Sequence, residues 1–163
     1  MATDPSFLKR LGQPLISISE QYLAFKRRCS GTVKIINNDK TVQWEGTIRP
    51  TALSRQYHIV IRYTLSKCPV CVVKGPCLSK LAEGRQIPHI YQNQTGIKGT
   101  QLCLYLPVVK KKNRVSEWQP TMYLVDTILP WASIWLFYFE IWISSDTWFG
   151  GGIEHDAVED SRR

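Results

Sequence analysis

The apolar positions of this chain change period twice, and each change marks a change of structural element. Phe7, Leu8 and Leu11, then Leu15, Ile16, Tyr22, Leu23 and Phe25, recur at helical spacing. The run falls into two pieces, because Gly12 and Pro14 interrupt the first and Ser19-Glu20 can open the second. From Thr32 the period becomes two. Thr32-Val33-Lys34-Ile35 and Val42 to Ile48 flank Asn37-Asn38-Asp39-Lys40, which predicts a hairpin with Asn and Asp in the turn. Tyr57 to Tyr63 alternates strictly, with Tyr57, Ile59, Ile61 and Tyr63 on one face and His58, Val60 and Arg62 on the other. His58 therefore reads as a partly exposed strand residue rather than a ligand. Val70 to Val73 gives a fourth strand.

Beyond Pro76 the pattern loosens through Leu81 to Arg85 into a loop around Pro88-His89 and the irregular stretch from Gln92 to Thr100. A final helix is expected near Pro130, a residue suited to a first helical turn. In it Trp131, Trp135, Tyr138 or Phe139, and Trp142 recur as a core stripe. Glu140, set among these aromatics, needs a hydroxyl, a cation or backbone amides as partner. The apolar stretch from Met122 to Ile143 contains Asp126, Pro130 and Glu140, and its uninterrupted part falls short of the roughly 20 residues of a membrane span, so it reads as a buried helix. Gly150-Gly151-Gly152 closes the fold. Residues 1–152 are thus expected to form one domain and residues 153–163 a mobile polar tail.

Composition narrows the class. The chain has 163 residues, 44% of them hydrophobic and six of them tryptophan, enough for one self-supporting core. The net charge of +8 suits an acidic partner, and its basic residues gather at Lys26-Arg27-Arg28 and Lys110-Lys111-Lys112-Asn113-Arg114. No RNP, helix-turn-helix or zinc-finger pattern accompanies them, so nucleic acid is not the expected primary partner. Five cysteines, an odd number, and the lack of a signal-like opening argue for a reduced, cytoplasmic protein rather than a disulfide framework. Cys68-Pro69-Val70-Cys71, with Cys77 nearby, has the spacing of two zinc ligands, but no second pair closes the site; packing thiols are the expected reading.

Cys103 stands apart from the other four. It lies in Leu102-Cys103-Leu104-Tyr105-Leu106-Pro107, after the proline-histidine loop and before the aromatic helix. A helix, a four-strand antiparallel meander, a proline-histidine loop, a lone cysteine and a closing helix, in that order, resemble the ubiquitin-conjugating enzymes. Trp44 to Pro50 and Tyr57 to Tyr63 look like that family's second and third strands. Pro88-His89-Ile90-Tyr91 resembles its histidine-proline-asparagine loop, and Leu102-Cys103-Leu104 its active-site segment. Pro88 to Tyr91, Leu102 to Tyr105 and the segment Leu129 to Glu140 resemble more closely the stand-alone bacterial conjugating-enzyme-like proteins of CBASS antiphage operons.

The resemblance implies an α/β (α+β) domain with a four-stranded antiparallel sheet flanked by helices. It also implies a thioester carrier acting through Cys103, with His89 in the site and the carboxyl terminus of a cGAS/DncV-like nucleotidyltransferase as partner. The rival is a catalytically silent adaptor that binds the same nucleotidyltransferase. A thiolate needs no metal or other cofactor for acyl transfer, and the chain has no phosphate-binding glycine loop, so activation is expected on another protein or domain, a separate activating enzyme being one such partner. One departure stands out. Isoleucine follows His89, and the asparagine that would donate to the oxyanion has no counterpart, a loss of a few kcal/mol unless Asn93 or the backbone amides between Gly96 and Gly99 replace it.

Overall fold

A computed structural model describes Gly12, residues 14–106 and residues 116–151. The apolar positions at Phe7, Leu8 and Leu11, the basic run Lys110 to Arg114 and the polar tail 153–163 lie outside the described residues. The first described helix, α1 (Ile18–Arg28), starts where a side chain satisfies its open amides. The hydroxyl of Ser17 accepts from the Glu20 amide and the Glu20 carboxylate accepts from the Ser17 amide, a reciprocal cap. The helix thus begins ahead of Ser19-Glu20. Its last turn carries Lys26, Arg27 and Arg28, cations that complement a helix carboxyl end, and Arg28 pairs with Asp126.

β1 (Thr32–Ile36) and β2 (Thr41–Ile48) form the expected hairpin. Asn37, Asn38 and Asp39 have φ of 56°, 51° and 62°, a left-handed run that Asn and Asp tolerate better than most residues. β3 (Tyr57–Thr64) and β4 (Val70–Gly75) continue the antiparallel meander. Tyr57, Ile59, Ile61 and Tyr63 are buried on one face, as the alternation requires. On the other, His58 meets the Glu45 carboxylate at 2.8 Å and Lys74 meets it at 2.7 Å.

The sheet has six strands rather than four, in the order β1-β2-β3-β4-β6-β5. After a four-residue helix α2 (Leu78–Leu81), the stretch read as loop supplies β5 (Ile90–Tyr91) and β6 (Thr100–Leu102). β6 pairs with β4 as well as β5, so the added strands extend the sheet past the meander. Gly99, at φ 141°, makes this approach possible: a Cβ there would lie 2.2 Å from the Val73 carbonyl oxygen. Strands of two and three residues are too short to carry an alternation signal.

The closing helix α3 (Ile128–Ser145) follows a 3₁₀ turn at Leu124–Asp126 and places Pro130 in its first turn. Its buried side chains are Ile128, Ala132, Trp135, Leu136, Phe139 and Trp142, which join Phe25, Trp44, Ile59, Ile61, Tyr63, Cys71 and Val73 in one core. Trp131 is only half-buried, and of Tyr138 and Phe139 it is Phe139 that faces inward. Leu124–Ser145 is long and apolar enough to cross a membrane; here its buried face is spent on the sheet and α1. Glu140 has the partners it needs: Tyr57 Oη and the Arg55 amide both donate to its Oε1, each at 2.9 Å. Arg85 closes the far end, donating to the Ile143 carbonyl and to Asp146 while stacking on Trp142.

Fully buried Gln21 locks α1 to the start of this turn-helix unit. Its Nε2 donates to the Met122 carbonyl at 2.9 Å and its Oε1 accepts from the Leu124 amide at 2.9 Å. Phe139→Ala should lower unfolding free energy by about 3–5 kcal/mol in urea titration, whereas Ile134→Ala, at an exposed position of α3, should change it by less than about 1 kcal/mol. Equal midpoints for the two variants would refute the packing of α3 on the sheet.

Candidate active site

The site forms where the sheet edge meets α3. Cys103 follows β6 directly, and its amide donates to the His89 carbonyl at 3.0 Å, extending the β5–β6 ladder by one residue. The same carbonyl accepts from Trp135 Nε1 at 3.1 Å. His89 itself has φ 51°, a left-handed geometry costly for a side-chain-bearing residue. Its carbonyl is thereby held between strand and helix, while its ring packs against Trp148 with centroids 5.3 Å apart. His89 and Cys103 line one open cavity of about 630 Å³.

Tyr91 is the residue that sequence reasoning passed over. Paired with Gln101 in the β5–β6 register, it lies diagonally from Cys103 on the same face, and its side chain hydrogen-bonds to the Cys103 thiol. Burial and the thiol keep the Tyr91 hydroxyl protonated well above the ordinary phenol range, so it remains a donor. The signal was the two-residue spacing of 89 and 91 against 101 and 103, visible only once the two short strands are known to pair.

Asn93 is not the missing oxyanion donor. Its Nδ2 donates to the Ile97 and Gly99 carbonyls at 2.7 and 2.8 Å, and its Oδ1 accepts from the Thr95 amide and hydroxyl. Both amide hydrogens are consumed in shaping the 93–99 loop, which Arg62 Nη1 ties to β3 through the Thr95 carbonyl.

Burial pushes the Cys103 thiol above its ordinary pKa; the Tyr91 hydrogen bond opposes this, the Glu117 carboxylate adds to it and the Tyr105 backbone opposes it more weakly. The other cysteines sit elsewhere. Cys71 is a core residue whose thiol is pushed up to about 12 by burial alone. Cys77 is exposed at the start of α2, with its pKa lowered first by a backbone hydrogen bond from Lys80. Cys68 meets the Tyr105 side chain. These three do not converge, and among the described residues no group of three His, Cys, Asp or Glu could hold a metal ion.

The class is set by these features together: an α+β protein whose antiparallel sheet presents one half-buried cysteine, beside a proline-histidine turn, to an aromatic helix. The family model of the Type II CBASS E2 protein matches residues 21–156, and the chain belongs to that family. Membership gives it an E2-like role in CBASS antiviral defence. No curated protein matches the chain.

Because the Cys103 thiol lies above its ordinary value, its alkylation by iodoacetamide should still be accelerating with pH at 9.0. Tyr91→Phe, which removes a contact that favours the thiolate, should shift the profile to higher pH, and Glu117→Gln should shift it to lower pH. Profiles that coincide for all three proteins would show that these neighbours do not govern the thiol.

Proposed function

We propose that the protein is a cysteine-dependent acyl carrier whose partner is the carboxyl-terminal tail of a cGAS/DncV-like nucleotidyltransferase, in the cytoplasm. The observation that carries this reading is the thiol of Cys103, anchored through its backbone to His89 and hydrogen-bonded to Tyr91, on a residue that lines an open cavity with His89 and the aromatic face of α3. The thiolate attacks a carbonyl already activated as an adenylate or thioester by a separate activating enzyme. The new carbon–sulfur bond replaces the bond to AMP or to the donor thiol, which departs. Tyr91 Oη, next to the sulfur, supplies the hydrogen bond to the tetrahedral oxyanion that asparagine would otherwise give. His89 shapes the turn through its carbonyl and lines the cavity with its ring.

A second reading, the silent adaptor, draws on the raised pKa of Cys103, since a thiol held protonated is a poor nucleophile until substrate arrives. The two separate in one experiment. Wild-type protein, incubated with nucleotidyltransferase, activating enzyme and ATP, should gain the partner's mass less one water in intact-mass spectrometry. The adduct should be cleaved by dithiothreitol and be absent in Cys103→Ala, while Cys71→Ser should retain it. Full stimulation of cyclic-nucleotide synthesis by Cys103→Ala would instead establish the adaptor.

A further inference from the structure

The cavity at Cys103 has a wall that acyl transfer alone does not require. Trp131, Ile134, Trp135 and Tyr138 stand at helical spacing on one stripe of α3 and line it together. Trp148 completes the wall, packing on Trp135, Tyr138 and His89. Ile134 leaves 53% of its surface exposed in this setting, apolar area in water that a ligand side chain would cover. Among the described residues the lining contains one carboxylate, Glu117, and no lysine or arginine.

We infer that this wall reads a large apolar side chain carried by the acyl donor a few residues before its terminal carbonyl. The inference rests on Cys103 as the acyl acceptor and adds the donor's chemistry. The occupant must be continuous with the carbonyl delivered to the sulfur, so it is the donor tail itself rather than an unrelated partner. The stripe from Trp131 to Tyr138 is about 10 Å long, the span of about three extended residues. A tail of glycine alone would leave the Trp131, Trp135 and Tyr138 wall of this cavity of about 630 Å³ against water, whereas a Leu or Phe side chain would displace water from that wall. The Glu117 carboxylate in the lining disfavours an acidic residue at the same place.

The test uses Cys103→Ala, which removes the sulfur and keeps the wall, titrated by tryptophan fluorescence with short Gly/Ser peptides ending in a free carboxylate. A single Leu or Phe about three residues from the end should tighten binding about tenfold over Ser, and Asp there should weaken it. Ile134→Glu, checked for an unchanged urea midpoint, should abolish the preference. Equal affinity for the Phe, Ser and Asp peptides, or a preference that survives Ile134→Glu, would overturn the inference. Apolar preference in Cys103→Ala together with no thioester on the wild-type protein would uphold the wall's specificity and reject the acyl-carrier reading alone.

Discussion

The His89 carbonyl is the point on which the site depends. It accepts from the Cys103 amide and from Trp135 Nε1, so one oxygen joins the last residue of the sheet ladder to the helix that covers the sheet. A carbonyl has two lone pairs, and satisfying both from different elements fixes its direction far more tightly than either bond alone. The left-handed backbone of His89, costing about 1–2 kcal/mol, persists because those two bonds require it. β5 is a two-residue strand at the edge of the sheet, and this junction supplies hold that its own length does not.

The same junction explains which parts of the molecule were legible in the sequence. The hairpin, β3 and α3 announce themselves because each has enough residues to repeat its period, and the buried faces follow from that repetition. Glu140 was legible as a residue needing partners, though not which ones, since Tyr57 and Arg55 lie more than eighty residues upstream. β5 and β6 were not legible: their pairing is a tertiary event, permitted by Gly99 lying against Val73 and by an Asn93 network that folds the intervening loop. Cys103 and His89 were picked out by order along the chain. Tyr91 escaped because its value lies in a register that no local pattern reveals, and Asn93 was considered for a role that its hydrogen bonds preclude.

Ser17 and Gln21 show a milder form of the same limit. A capping box is a local signature, and Ser17 with Glu20 carries it, yet the neighbouring Ser19-Glu20 pair drew the helix start two residues late. Gln21, three residues after Ile18 and four before Phe25, lies on the inward face of the helix, although its amide alone would suggest a solvent position. It is fully buried, because both ends of its amide are satisfied by backbone groups around Met122 and Leu124. A buried polar group of this kind is stable only when complete, so it fixes the position of α1 against the approach to α3 more specifically than apolar packing would.

The aromatic surroundings of Cys103 act on its chemistry in two opposed ways. Removing the thiol from water disfavours the thiolate, which slows attack before a substrate is present. In the acyl carrier proposed above, the same surroundings would shield the thioester from hydrolysis, the side reaction that limits any carrier of an activated acyl group. Tyr91 offsets part of the first effect without giving up the second, because a hydroxyl supplies one directed hydrogen bond where solvent would supply both hydrogen bonds and a competing nucleophile. A half-buried cysteine with a phenolic partner therefore suits poorly a thiol that must stay ionised at rest, and is compatible with the proposed thiol that reacts with an activated carbonyl and then holds the product.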